Sequence, residues 1–465
     1  MQRKLSLLLL ALLPHLAQAE DQSDNNPVLA SLALPPPLAQ AADATPEDWN
    51  TKFQTTYIGQ KHPSFNAAYS GLNSLSSNAE YSYTFTTDAF IGVRLKPNTE
   101  LYFVPEVTQG VPFSNLTGMG GFTNGEITRA SGTNPTIYRQ QLFLRQTTGL
   151  GGATEKVESD MNQLAGVVEK NRFVFTVGNF STLNIFDNNA YAHDPRTQFM
   201  NWSNMTYASY DYAADARGFG WGFAGEWYQD EWVVRFGRMT GPRDPNMLQM
   251  DYQFFKHYGD QVEIEHGHEL GGQPGKVRVL GYRNRAVLAS YRDAINYGNS
   301  VGWAPDPVYG KQYIFKVRNG EKIKYGLGVN IEQAINADLG SFLRAMWSDG
   351  RTETLAFTEV DQSIAGGLSL KGAAWGRTQD TVGLSLISNR LSKDRRDYLQ
   401  AGGISFFIGD GALNYRPETI LESYYSWNVA KKAWLTADYQ HIANPAYNAD
   451  RGPVEVYGMR LHFEY

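Results

Sequence analysis

The sequence predicts an all-β fold, a transmembrane antiparallel β-barrel of about 16 strands whose long outer loops fold into the pore. Three observations lead to this prediction. The chain begins with a secretory signal, the segments that follow alternate apolar and polar residues, and the connections between those segments differ in length. A sheet with an apolar outer face and a polar inner face must close on itself to span a bilayer, because an open edge would leave backbone groups unpaired in lipid.

The alternation is clearest at the C-terminus, in residues 455–465. Side chains of an extended strand point to opposite faces with a period of two. One face here is apolar and consists of Tyr457, Met459, Leu461, Phe463 and Tyr465. The other face consists of Gly458, Arg460, His462 and Glu464. A soluble protein can also end on such a strand, so a membrane barrel is predicted only where the pattern recurs along the chain.

The same pattern does recur from Trp49 onward. Alternating stretches are found at residues 49–57, 80–93, 100–107, 232–236, 324–332, 343–347 and 435–440. Charged residues often lie in the middle of the polar face, where a dry core would make an unpaired charge costly. The polar face is therefore predicted to surround a water-filled lumen, and the strand count pairs the last strand with the strand at Trp49.

The lengths of the connections predict the topology, because bacterial barrels have tight periplasmic turns and long outer loops. Short connections are predicted at residues 96–99, 229–230, 270–275, 336–338 and 430–432, and long ones at 108–135, 182–217, 240–260 and 286–321. The Glu- and Lys-rich connection after Thr147 breaks the alternation and is predicted to be a long, partly helical periplasmic segment. Placing residues 399–414 inside an outer loop gives about 16 strands, and the alternative is about 18.

Composition excludes several other classes of protein. The 465 residues include no Cys, which rules out a disulfide framework and thiolate chemistry. A net charge of −6 gives no reason to expect a nucleic-acid partner. After the signal, no stretch reaches the ~18 apolar residues that a spanning helix needs.

Three regions are predicted. Residues 1–19 form a signal peptide, with Arg3 and Lys4 before an apolar run and an Ala-Gln-Ala cleavage site at its end. Residues 20–48 are a flexible Pro/Ala-rich periplasmic lead-in. Residues 49–465 form the barrel domain.

The polar face supplies most of the candidate pore-lining residues. Arg139 and Arg145 fall on one side of the predicted strand at 138–147. Arginine donates several hydrogen bonds in a fixed geometry and keeps its charge, so it suits oriented binding of hydroxyls or anions. The candidate set is Arg139, Arg145, Glu106, Asp194, Arg196, Asn201, Trp202, Arg217, Arg235 and Arg278. The alternative is that such charges only pair with one another and solvate a wide lumen.

The long connection at residues 187–217 is the predicted constriction. It combines amides, charges and aromatic rings, among them Asn188, His193, Trp202 and Tyr207. A sugar needs an aromatic face for C–H stacking and a polar rim for its hydroxyls, and a loop folded into the barrel would supply both. The alternative is an outer loop that simply caps the sheet.

Enzymatic function is not expected. The eight His include no HExxH pair, and His266 and His268 lack further ligands at metal-binding spacing. No G-x-S-x-G is present, and nothing fixes two carboxylates at hydrolytic separation. The sequence predicts no catalytic residue, no cofactor and no metal.

Several runs of residues together resemble the carbohydrate-selective outer-membrane porins. The runs are Trp49-Asn50 with Gln54, 59–65 (GQKHPSF), 101–106 (LYFVPE), 118–126 (GMGGFTNGE), 138–146 (YRQQLFLRQ), 201–202 (NW), 402–411 (GGISFFIGDG) and 413–418 (LNYRPE). The resemblance covers residues 49–465. It implies a 16-stranded barrel in the bacterial outer membrane, and passive diffusion of glucose and other mono- and oligosaccharides.

The predicted function is thus passive, carbohydrate-preferring diffusion, with binding weak enough for release. The alternatives are a general porin for ions and small solutes and, less favoured, a soluble sugar-binding or hydrolytic β protein. Expected partners besides sugars are outer-membrane lipid and the barrel-assembly machinery, because Phe463 and Tyr465 resemble the terminal signal that this machinery reads. A monomer and a homotrimer both remain open.

Overall fold

The computed structural model describes residues 45–465. The predicted signal peptide and residues 20–44 of the predicted lead-in lie outside the described residues. Within the described part, no helix combines the length and the apolar character needed to cross a membrane.

Sixteen antiparallel strands close into one barrel, in which every strand pairs with its neighbours along the chain and β1 pairs with β18. Two short strands, β5 and β6, form a separate hairpin. The strands are β1 (Trp49–His62), β2 (Glu80–Lys96), β3 (Thr99–Val111), β4 (Thr136–Gly149), β5 (Thr154–Val157), β6 (Gly166–Glu169), β7 (Arg172–Phe180), β8 (Gly220–Gln229), β9 (Trp232–Met239), β10 (Tyr258–Leu270), β11 (Gln273–Val287), β12 (Glu321–Ala334), β13 (Leu339–Ser348), β14 (Gln362–Gly372), β15 (Arg377–Arg390), β16 (Glu418–Ala430), β17 (Ala433–Ala443) and β18 (Val454–Glu464). The predicted strand number of about 16 is confirmed.

The α-helices of the described residues all lie in the long loops, at Trp202–Met205, Tyr291–Ser300, Tyr313–Lys316 and Lys393–Gln400. The last of these follows β15, so residues 399–414 belong to a loop, as predicted. Asparagine or serine caps begin three of these helices, and in two of them the Ser290 and Ser392 side chains accept from the backbone N–H groups of Asp293 and Arg395.

The two predicted faces of the strands are present. In β18, Tyr457 and Met459 are exposed on the outer wall, whereas Arg460 and His462 are buried inside the barrel. The His462 Nδ1 atom lies 2.8 Å from the Thr56 hydroxyl, across the seam between β18 and β1. The terminal strand therefore closes the barrel and pairs with the strand at Trp49, as predicted.

A β-bulge corrects one sequence prediction. The pairing of β3 with β4 shifts by one residue at Pro105, which has no N–H to donate to the ladder. The shift leaves Gln140 and Gln141 both buried and turns Arg139 to the outside, where its guanidinium stacks 5.0 Å from the Trp221 ring. The prediction that Arg139 and Arg145 share a side is wrong, because the extra residue inverts the alternation between them.

The long connection between β4 and β7 is the second correction. It contains the β5–β6 hairpin and no helix in its described residues, which are 150–171. Strands β5 and β6 contain Val157, Val167 and Val168, and such β-branched side chains favour an extended backbone over a helix. The segment lies at the turn end of the barrel, where Asn50 Nδ2 donates to Gln163 O over 2.8 Å.

Candidate functional site

The connection between β7 and β8, residues 181–219, is called the constriction loop because it is held inside the barrel. Buried Arg344 of β13 donates from Nε to Asp187 Oδ1 over 3.0 Å and from Nη1 to Asn204 O over 2.8 Å. Glu422 of β16 accepts from the backbone N–H of Met200 over 2.5 Å and of Asn201 over 3.0 Å. These inner-wall side chains thereby satisfy several of the loop's buried backbone and carboxylate groups.

Buried Arg460 of β18 fixes the middle of the constriction loop. Its guanidinium donates to the carbonyl oxygens of Pro195 and Gln198, each over 2.7 Å. These two contacts bracket Arg196, whose side chain extends toward β2, β3 and the loop that follows β3. A strand residue that was predicted to face the lumen thus acts by orienting the loop.

A ladder of ion pairs supports the same loop from β8–β12. Arg235 Nη1 lies 2.8 Å from Glu263 and 3.1 Å from Glu265, and Arg278 Nε lies 2.7 Å from Glu265. Glu263 also accepts from the Asp187 N–H over 2.8 Å. These arginines are buried between the wall and the loop.

A cavity of about 280 Å³ remains between the constriction loop and β1–β4. Its lining runs from Thr128 and Phe219, at the end with the long loops, to Met161 and Asn162, which belong to the connection at the turn end. Polar, charged and aromatic residues are mixed along it, including Gln54, Glu106, Glu126, Tyr138, Gln140, Asn184, Asp194, Arg196, Trp202, Arg217 and Phe219. The cavity therefore lies inside the barrel, with residues of both ends in its lining.

Arg196 meets three carboxylates across this cavity. Its Nε lies 2.9 Å from Glu126, and its Nη2 lies 3.4 Å from Asp88 and 3.5 Å from Glu106. Burial raises the pKa of Glu126, and Arg196 pulls that pKa in the opposite direction. Burial has the opposite effect on the pKa of His193, which it lowers because the charged form of imidazole is the protonated one. This ring on the cavity wall is therefore neutral at neutral pH.

Arg217 differs from Arg196 because it has no carboxylate within salt-bridge distance among residues 45–465. Its guanidinium stacks 4.1 Å from the Tyr138 ring, and its buried Nε has no hydrogen-bond partner. The Tyr138 hydroxyl donates in turn to Glu106. The cavity therefore presents one neutralised and one unpaired guanidinium beside an aromatic ring.

The chain matches the model of the carbohydrate-selective porin, OprB family, over residues 73–465. It belongs to this family. It is accordingly an outer-membrane porin with a preference for carbohydrates, and the long loops lie on the extracellular side.

Comparison with a solved OprB structure agrees on the fold of this porin. The Pseudomonas putida OprB structure, determined at high pH, has a TM-score of 0.66 and 15% identity, with 90% of this chain and 94% of that chain covered. The outer-membrane channel DcaP of Acinetobacter baumannii has a TM-score of 0.48 and 10% identity, covering 90% of this chain and 97% of that one. No curated protein sequence matches.

The porin brings together only part of the residue set predicted from its sequence. Glu106, Asp194, Arg196, Trp202 and Arg217 line the cavity. The other predicted residues take different positions.

Arg145 Nη1 donates to Asn162 O over 2.8 Å at the periplasmic end. Asn201 lies in the constriction loop, but its Nδ2 donates to Gln440 Oε1 of the barrel wall over 2.9 Å. Arg235 and Arg278 lie in the buried ladder, and Arg139 is on the outer wall.

Sequence reasoning missed Asp88, Glu126, Tyr138 and Asn162. Asp88 was visible as a charge on the polar face of β2, and Glu126 ends the GMGGFTNGE run. Asn162 carried no signal, because its place depends on how the periplasmic connection folds. Among the described residues, no three His, Cys, Asp or Glu side chains are grouped so as to hold a metal ion.

Proposed function

We propose that sugars cross this porin through the cavity between the constriction loop and β1–β4, and that Arg217, Arg196 and Glu106 bind their hydroxyls on the way. Arg217 donates hydrogen bonds, Glu106 accepts them, and the aromatic side chains of Tyr138 and Trp202 supply apolar surface for the sugar ring. The transport is passive, with no catalytic step.

The unpaired guanidinium of Arg217 is the observation that carries this proposal. Arg217 lines the cavity without an ion-pair partner among the described residues, so a ligand hydroxyl that accepts from its guanidinium does not have to displace a carboxylate. Arg196 is already neutralised by its carboxylates, so its remaining N–H groups can orient a neutral ligand without attracting a strongly anionic one.

The dimensions of the cavity favour small sugars. Its volume of about 280 Å³ lies just below the ~300–1,000 Å³ usual for ligand pockets. A monosaccharide is thus expected to fit as a whole, and a longer saccharide to thread through. Since conduction requires exit as well as entry, binding must stay weak.

The remaining partners follow from the outer wall and the terminal strand. We infer that exposed side chains such as Phe236, Ile264, Leu327 and Met459 contact the acyl chains of outer-membrane lipid. We also infer that the barrel-assembly machinery recognises the C-terminal strand, through Phe463 and Tyr465.

Liposome swelling tests the assignment of Arg217. Replacing it by Gln removes the charge and the unpaired donor, so we expect the swelling rate with glucose to fall severalfold relative to that with an amino acid of equal size. Arg139→Gln is the matched control, because this arginine lies on the outer wall. Equal glucose preference in wild-type protein and Arg217→Gln would remove Arg217 from the sugar site.

A further inference from the structure

A cluster of charged side chains lies on the outer wall of the barrel, outside the pore. We call it the outer-wall cluster, and it consists of Arg238, Lys256, Asp260, Arg283, Arg285 and Glu321. In the strand pairing, Asp260 stands opposite both Arg238 and Arg283, so the three share one face of β9, β10 and β11. Further along the same face are the exposed residues Phe236, Val262, Ile264 and Val279. The cluster therefore sits on the wall that faces lipid.

The cluster occupies the extracellular end of this wall. Asp260 and Arg283 lie at the ends of β10 and β11 that adjoin the long loops. The cost of a charged side chain on the lipid face is greatest at the bilayer midplane and falls toward the interface. The headgroup region of the outer leaflet is the depth at which such a cluster is tolerated.

Its members are held in a fixed arrangement. Arg238 donates to both oxygens of Asp260, over 2.7 and 3.0 Å, and Arg283 Nη2 reaches Asp260 Oδ2 over 2.9 Å. The Arg238 guanidinium also stacks 3.8 Å from the Tyr258 ring. Nearby, Glu321 pairs with Arg285 and with Lys256.

The cluster carries more positive than negative charge. Arg238, Arg283, Arg285 and Lys256 are four cations, whereas Asp260 and Glu321 are two carboxylates. The side chains of Arg283 and Lys256 remain 50% and 56% exposed. The exposed N–H groups can still donate to a further anion.

An aromatic loop borders the cluster on the same wall. In the connection between β9 and β10, the Phe254 ring lies 6.0 Å from that of Phe223, an outward-facing residue of β8. Phe255, which directly precedes Lys256, is 84% exposed, and Tyr252 is 70% exposed. Aromatic rings at the level of the headgroups are typical of membrane interfaces.

We propose that the outer-wall cluster binds the phosphate-bearing headgroup of an outer-leaflet lipid, whose acyl chains lie along the exposed residues below. Guanidinium groups match phosphate oxygens in charge and geometry. The adjoining apolar wall selects a lipid over a free anion. The proposal is independent of where sugar binds.

The test is a lipid titration of the full-length, purified porin, followed by native mass spectrometry. We expect bisphosphorylated lipid A to bind about tenfold more tightly than the same lipid after removal of its phosphates. The double variant Lys256→Gln, Arg283→Gln should lose most of this difference. The control Lys96→Gln, Lys431→Gln removes the same charge from exposed positions at the periplasmic rim and should retain it.

Equal binding of the two lipids by wild-type protein would overturn the proposal, whatever the variants do. So would an unchanged preference in the cluster variant, or displacement of the lipid by an equal concentration of inorganic phosphate. A cluster variant that binds lipid normally but changes oligomeric state would assign this surface to a second copy of the chain instead. Unaltered glucose-dependent liposome swelling shows that the variants are folded and that the sugar pathway is separate.

Discussion

At the scale of single residues, the cavity depends on two arginines with different surroundings. Arg196 is surrounded by Glu126, Asp88 and Glu106, whereas Arg217 rests on Tyr138 without a carboxylate partner among the described residues. Because the carboxylates outnumber the arginines here, the charge of the passage depends on which acids are ionised.

We expect the ion selectivity of the pore to change with pH through Glu126. Burial raises its pKa above the ordinary value of 4.5, so this carboxyl takes up a proton sooner than an exposed glutamate does as the pH falls from neutral. The protonated form is neutral and leaves Arg196 with less negative charge around it. Preference for cations should therefore decrease with falling pH, as measured by the reversal potential in a salt gradient.

Glu126→Gln is the control for this titration. The variant should already show the reduced cation preference at neutral pH, and its selectivity should depend less on pH in that range. A variant whose selectivity follows the wild-type pH curve would assign the titration to another group.

The arginines also show what sequence can predict at this scale. Alternation placed Glu106 inside the barrel, and loop composition identified Asp194, Arg196, Trp202 and Arg217 as one candidate group. Alternation gave the wrong face for Arg139, because a one-residue bulge in the pairing at Pro105 inverts the faces of the strand positions beyond it. Sequence alone could not show that Arg235 and Arg278 are excluded from the cavity, since both occupy inward strand positions and only the path of the loop decides which of these positions it covers.

At the scale of elements, the constriction loop is held by a small number of buried contacts. Replacing Arg344 by Met leaves Asp187 buried without its ion-pair partner, which costs about 3–5 kcal/mol. We expect the loop to detach from β13 while the barrel stays closed. Single-channel conductance should rise, and the preference for sugar should fall.

Arg172→Met is the matched control for the loop variant. Arg172 also forms an ion pair, with Glu155 at 2.7 Å, but it lies at the periplasmic end and does not touch the constriction loop. The single-channel conductance of Arg172→Met should resemble that of the wild type. If Arg344→Met conducted like the control, the loop would be held by other contacts.

The terminal strand supplies a second prediction at this scale. The backbone N–H and C=O of Tyr465 both bond to Phe53 of β1, over 2.8 and 2.9 Å, and its ring is exposed on the outer wall. Deleting Tyr465 removes these bonds at the closing seam, so we expect less folded porin in the outer membrane but unchanged conductance of the pores that assemble. Tyr465→Phe, which keeps the backbone bonds and the aromatic ring, should assemble normally.

Heat-modifiable mobility on gels measures the folded fraction, and planar-bilayer recording measures the conductance. A deletion variant that assembles in normal amounts but conducts differently would contradict the assigned role of the strand. It would connect the C-terminus to the passage rather than to closure.

At the scale of the whole molecule, the barrel was largely predictable and the passage was not. Alternation in residues 455–465 and the lengths of the connections depend on local sequence, and both led to the observed closure. The passage arises from contacts between distant segments, such as Arg460 with Pro195 and Arg145 with Asn162. Such pairings follow from the path of a loop through the lumen, which no local pattern encodes.

The central claim is that sugar binds weakly in the cavity beside Arg217, and a planar-bilayer recording with added glucose tests it most directly. We expect glucose to reduce the single-channel current in a saturable manner, and Arg217→Gln to require a severalfold higher glucose concentration for the same reduction while Arg139→Gln matches the wild type. A current that does not respond to glucose in the wild-type porin, or responds equally in Arg217→Gln, would contradict the claim.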